Sequence, residues 1–170
     1  MANEAKIPPI IYAYVGGAAL FGFVVYKGMQ KLGLIESAES KKDKQNAAAF
    51  DKMTSRWITD DFLKAVSVAY KKKYNKTPTI KDLTPTPDTT ISKARVRLYD
   101  AKGFFNDDEE KLYGVFRDLR NGVDIYRLNA GFKKQYEGRN ILDFINSFTG
   151  DDDRAKLYIL LRDLKDFQKS

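Results

Sequence analysis

The sequence predicts an all-α protein in which one N-terminal transmembrane helix precedes a small helical domain, and three observations carry that expectation. Ile7 to Tyr26 form a run of twenty uncharged residues in a chain that is otherwise rich in charge, at 31% Asp, Glu, Lys and Arg. Beyond residue 47, apolar residues recur at the i, i+3, i+4, i+7 interval of a helix that buries one face. No segment sustains the period-two alternation of a half-buried strand.

A helix rises about 1.5 Å per residue, so the uncharged run matches the roughly 30 Å hydrocarbon core of a bilayer. The expected span covers about residues 8–30. Pro8 and Pro9 stand in the first turn, where helix amides have no partner in any case. The membrane anchor comprises Ile10, Ile11, Tyr12, Val15, Leu20, Phe21, Phe23, Val24, Val25 and Tyr26, with Tyr12 and Tyr26 near the two interfaces that favour aromatic hydroxyls. Small residues recur four apart, Ala13 with Gly17 and Ala18 with Gly22, and permit close approach of another membrane helix. A cleaved signal peptide fits less well, because Glu4 and Lys6 precede an apolar run longer than the usual ~7–15 residues. A soluble core helix would need a polar face, which the run lacks.

Lys27, Lys31, Lys41, Lys42 and Lys44 follow the run, against Lys6 alone before it. Positive-inside bias therefore places residues 27–170 on the cytoplasmic or cytoplasm-derived face, with these five lysines near anionic lipid. The absence of cysteine agrees with a reducing compartment.

Histidine is absent as well. Thiol nucleophiles, Ser-His-Asp triads, iron–sulfur clusters and the usual zinc sites all need one or other of these side chains. No glycine-rich phosphate loop is present, and no carboxylate pair stands out by spacing. A carboxylate-based hydrolase is the one enzyme class left, as an alternative to a protein without catalysis or cofactor. The net charge of +7 and isoelectric point near 9.4 draw on Lys41-Lys42-Asp43-Lys44 and on Tyr70-Lys71-Lys72-Lys73-Tyr74-Asn75-Lys76. The second run could meet lipid, or could pair phosphates and stack bases. It reads best as the solvated last turn of a helix, with cations at the favourable end of the dipole. Nucleic acid is not expected as a partner.

Residues 1–35 thus form the anchor, and residues 36–46, ESAESKKDKQN, read as a polar tether with a random-coil reach of roughly 15–20 Å. Residues 47–170 form the helical domain. Ala47 to Trp57 is a short apolar-faced segment. Thr59 caps a helix with Phe62, Ala65, Val66 and Ala69 inward, ended by Thr77-Pro78. Thr84-Pro85-Thr86-Pro87-Asp88 is a loop. Ile91, Ala94, Leu98 and Ala101 share the next face, closed by Gly103 in the left-handed position. Asn106 and Glu109 form a capping box for a helix burying Leu112, Val115, Phe116 and Leu119, stopped by Asn121-Gly122. Asp124 caps a helix with Ile125, Leu128, Phe132 and Tyr136 inward, stopped by Gly138. Asn140 precedes Ile141 to Phe148, and after Gly150 the acids Asp151 to Asp153 open a last helix carrying Ala155, Tyr158, Ile159, Leu161 and Phe167.

Several of these signals together resemble an annexin-type repeat over about residues 91–168. They are Lys102-Gly103, the acidic Asp107 to Glu110, Phe132-Lys133 before Tyr136, Gly138-Arg139 before Leu142, and Thr149-Gly150 before the last helix. One such repeat is visible, of the kind found in short bacterial and phage proteins. The resemblance implies a small annexin-like helical domain but not the family's calcium site. Phe105 stands where the second loop glycine would be, and Ser147 aligns with the distal acid, leaving too few oxygen ligands. Calcium is therefore not expected as a partner, and no metal ligand is assigned. The acids are expected at helix N-termini, where each contributes about 0.3–1 kcal/mol.

The expected function is that of a non-catalytic, single-pass membrane protein whose domain works by contact with a protein partner. The resemblance to phage-encoded relatives implies a sharper form, a minor membrane protein of a lipid-containing virion that links membrane to capsid. The alternative is a bacterial envelope adaptor that recruits a cytoplasmic partner.

Overall fold

The computed structural model describes residues 36–103 and 108–168. The span expected at about 8–30, with its anchor residues and with Lys27 and Lys31, lies outside them. Gly17 and Gly22, expected with Ala13 and Ala18 to pack against another membrane helix, lie outside the described residues too. Contacts divide the chain into Met1–Lys41, of which residues 36–41 are described, and Lys42–Ser170. Among the described residues every regular element is an α-helix, and no helix is long and apolar enough to cross a membrane.

The first helix, α1 (Ala38–Trp57), corrects the expected tether. Ser37 accepts the Ser40 amide on its hydroxyl at 3.0 Å and the Lys41 amide on its carbonyl at 3.1 Å, which is how a helix begins. The segment has no apolar face, yet Ala, Glu, Lys and Gln are good helix formers. It also runs without a break into Ala47–Trp57, whose buried Ala47, Phe50 and Trp57 supply the stable turns from which it propagates.

Helix α2 (Asp60–Tyr74) is capped as expected, the Thr59 hydroxyl accepting the Phe62 amide at 3.1 Å. Its buried residues are Phe62, Val66 and Tyr70, whereas Ala65 and Ala69 are exposed. The helix is thus rotated from the expected face, toward the side on which the large Tyr70 ring is covered. Asn75 at φ 52° ends it, with its amide on the Lys71 carbonyl at 2.8 Å. A single turn, α3 (Ile80–Leu83), follows under Thr79, whose amide and hydroxyl both donate to Asp82 at 2.7 Å.

Helix α4 (Asp88–Ala101) buries Ile91, Ala94, Leu98 and Ala101 as expected, and Gly103 at φ 56° closes it. In α5 (Glu109–Arg117) the cap is Asp108, which accepts the Lys111 amide at 2.9 Å. Helix onset is therefore two residues later than the Asn106 box would set it, and Asn106 itself lies outside the described residues. The face of Leu112, Val115, Phe116 and Leu119 is buried in full.

Helix α6 (Gly122–Gln135) overturns two further expectations. Its cap is Asn121, which accepts the Asp124 amide at 3.2 Å, so Asn121-Gly122 opens this helix and does not stop the one before. Asp124, expected as the cap, sits inside the first turn and is fully buried. Asn140 caps α7 (Ile141–Asn146) by accepting the Asp143 amide at 2.8 Å. Helix α8 (Asp151–Leu161) starts after Gly150 but stops six residues short of Phe167. Leu157 is buried in it, and Ile159, expected inward, is 49% exposed.

Helix α4 packs against α5 and α6, α8 against α5, and α7 against α6. Phe132 lies at 0% exposure among the aromatic rings of Phe144 and Tyr136, at 5.0 and 4.5 Å between centroids. Residues 164–168 form an irregular strap. The carbonyls of Lys165 and Asp166 accept the amides of Gly122 and Val123 at 2.9 and 3.1 Å, so two amides of α6 that have no partner within the helix are satisfied by the strap. The Trp57 indole donates to Asp166 at 3.0 Å, Arg56 pairs with the same carboxylate, and the Gln168 amide reaches the Leu83 carbonyl at 3.0 Å. Phe167 meets Tyr70 at 5.9 Å between ring centroids.

Candidate functional site

Of the lysines read as lipid contacts, Lys41, Lys42 and Lys44 are exposed on α1. The basic run at the end of α2 divides in two. Lys71, Lys72 and Lys73 are exposed in the last turn, whereas Tyr70 is 2% exposed in the core and Lys76 pairs with Asp82 at 2.8 Å. That pair and the Thr79 amide hold the Asp82 carboxyl well below the usual range. Tyr70 is therefore not a surface on which a base could stack.

The acids behave as parts of helix termini. Hydrogen bonding from the Lys111 amide and side chain lowers the Asp108 pKa. Asp151 pairs with Arg154 at 2.5 Å, and Asp153 accepts the Tyr113 hydroxyl at 2.7 Å. Residues 104–107, with Phe105, lie outside the described residues. Beside the last described residue before them, Gly103, the Lys102 ammonium donates to the Ser147 hydroxyl at 3.2 Å and stands 5.8 Å over the Phe144 ring. Among the described residues no group of three or more Asp and Glu gathers as a cation would require.

Sequence reading missed the most constrained polar group in the domain. Asp124, with no exposed surface, accepts from four donors: the Thr84 hydroxyl at 2.7 Å, the Thr86 hydroxyl at 2.5 Å, the Arg120 amide at 2.8 Å and the Arg127 guanidinium at 3.2 Å. Arg127 continues to the Thr86 carbonyl at 2.7 Å and to Asp88 at 2.5 Å. A buried carboxylate is tolerable only when it is paired and its lone pairs are filled, and here both conditions hold. The network fixes the Thr-Pro-Thr-Pro loop against α6. The alternation of hydroxyl and proline in 84–87 was the available signal, since a loop with two donors and few amides suits an internal acceptor.

The fixed loop forms one wall of an open cavity of about 590 Å³. Its other walls are Thr90, Lys93 and Arg97 of α4, the segment Arg117, Asp118 and Arg120 at the end of α5, and Gln168 of the strap. Arg97 is aimed by a contact with Asp118 at 2.7 Å and by Gly114, where any Cβ would overlap its guanidinium. Arg117 pairs with Glu110. Lys93 and Arg120 are exposed and make no ion pair with any described residue. The cavity therefore carries an excess of positive charge.

Set against known proteins, the chain matches no family model, no curated protein and no solved structure.

Proposed function

We propose that the protein is a non-catalytic, single-pass membrane protein that holds its helical domain at the bilayer as a structural or interaction module. The observation that carries this reading is the uncharged run from Ile7 to Tyr26, long enough to span the hydrocarbon core and followed by a lysine-rich segment. The domain is annexin-like in this reading, on the cytoplasmic or cytoplasm-derived face. The hydrogen bond from Lys102 to Ser147 at 3.2 Å agrees with a form of that repeat that works without calcium, because the residue aligned with the distal acid is a hydroxyl already taken up by an ammonium. In its sharper form the reading is a minor membrane protein of a lipid-containing virion, with the domain as the link to the capsid shell.

Contact, not chemistry, is favoured by the polar groups themselves. The buried carboxylate is consumed by its own loop, and of the surface acids Asp108 caps a helix and pairs with Lys111 while Asp151 pairs with Arg154. The test is a comparison of two chains expressed in the same cells. The 170-residue chain should be recovered with membranes, and the same chain lacking residues 1–35 should not. Equal recovery of the shortened chain with membranes would assign attachment to the domain and overturn the anchor.

A further inference from the structure

We propose that the basic cavity between the Thr-Pro-Thr-Pro loop, α4 and the end of α5 binds a phosphomonoester group. Four cations line it, Lys93, Arg97, Arg117 and Arg120, against the single acid Asp118. Asp118 neutralises Arg97, and Glu110 neutralises Arg117 from outside the lining, which leaves Lys93 and Arg120 uncompensated among the described residues. Two such cations match the charge of about −1.5 to −2 that a phosphomonoester carries near neutral pH. A phosphodiester or a single carboxylate would leave one of them unanswered.

The site is built before any ligand arrives. Gly114 leaves room for the Arg97 guanidinium to lie across α5, and Asp118 fixes its direction. Asp124 holds the Thr86 hydroxyl and the Arg120 amide, and so positions the loop wall and the chain at the base of Arg120. A prepositioned guanidinium such as that of Arg97 loses little freedom on meeting phosphate and offers forked donors to its oxygens. A volume of about 590 Å³ exceeds that of a bare phosphate and falls in the range of small-molecule sites, so a phosphate carried on a larger body fits it. A concave wall with a net positive charge also concentrates anions before contact.

Two sources offer this chemistry: a soluble phosphorylated metabolite and the headgroup of a phosphatidic-acid-type lipid. The experiment uses the 170-residue chain in non-ionic detergent micelles, titrated by calorimetry with glycerol 3-phosphate. In a second arm, the chain is reconstituted in phosphatidylcholine discs containing either phosphatidic acid or phosphatidylglycerol, and lipid bound to the domain is read by lysine cross-linking. The paired variant Lys93→Gln/Arg120→Gln should weaken binding by about tenfold or more, while Lys133→Gln/Lys134→Gln, equal in charge and outside the cavity lining, should change it less than about twofold. All four side chains are exposed, so each variant keeps its helical dichroism. Saturable binding of glycerol 3-phosphate with that pattern supports the site and names a soluble source. Preferential cross-linking of phosphatidic acid at Lys93, without binding of glycerol 3-phosphate, supports it and names the lipid. Failure of both arms, or equal weakening by the two variants, overturns it. The calorimetric arm does not depend on whether residues 7–26 cross the bilayer, so the anchor can fail without deciding that result.

Discussion

The Asp124 carboxylate accepts the Thr84 hydroxyl at 2.7 Å across forty positions of sequence, and both residues are buried. This contact joins the proline-rich loop of the domain to the first turn of α6. It places a charge in the core that nothing but its own network compensates.

Asp124→Ala should therefore destabilise the protein by about 3–5 kcal/mol, because it takes their carboxylate acceptor from the Thr84 and Thr86 hydroxyls and the Arg120 amide and leaves Arg127 with only Asp88 and the Thr86 carbonyl. Urea unfolding followed by circular dichroism measures this. A loss under about 1 kcal/mol would mean that the loop stands without the network.

At Gly122 an added Cβ would lie 2.6–2.9 Å from three atoms of the Trp57 indole, which has no freedom to withdraw while it donates to Asp166. Gly122→Ala should cost about 1–3 kcal/mol by overpacking. Indole fluorescence should shift in the folded state of this variant, and an unchanged spectrum with unchanged stability would remove the close approach.

Much of the domain was legible in the sequence because local signals and core packing agree there. The Ile91–Ala101 face, the Leu112–Leu119 face, the Thr59 and Asn140 caps and the Gly103 and Gly138 stops all fall where periodicity and capping place them. Misreadings arose where a distant partner decided the outcome. Asp124 looks like a cap until Thr84 and Thr86 are brought to it, and Phe167 looks helical until the strap carries it to Tyr70. The N-terminal half of α1 was illegible for another reason: it has no apolar face and takes its stability from the turns that follow. The basic cavity joins residues from three separated segments, so no local pattern could announce it.

Thr54 is fully buried in α1, and among the described residues its hydroxyl has no hydrogen-bond partner. Thr54→Val keeps the shape and removes the unsatisfied group, so it should stabilise the protein by about 1 kcal/mol. Destabilisation in the same unfolding assay would reveal a partner for the hydroxyl.

Burial, then the hydrogen bond to Asp153, raises the Tyr113 pKa above its ordinary value. Ionisation is thus harder in the folded protein than in the unfolded one. The contribution is complete below about pH 10, the unfolded value, and is lost as pH rises toward the folded value. Tyr113→Phe should flatten the fall of stability with pH above that point. A fall as steep as in the parent protein would assign the alkaline sensitivity to other groups.

The central claim is that residues 7–26 hold the protein in a bilayer, and alkaline carbonate extraction of membranes bearing the 170-residue chain tests it most directly. Hydrophobic burial of a span is insensitive to both high salt and high pH, whereas electrostatic attachment through Lys41, Lys42 and Lys44 is screened or titrated away. The account predicts that the protein stays in the membrane pellet through both washes. Its release into the supernatant, intact, by salt or carbonate would contradict the account.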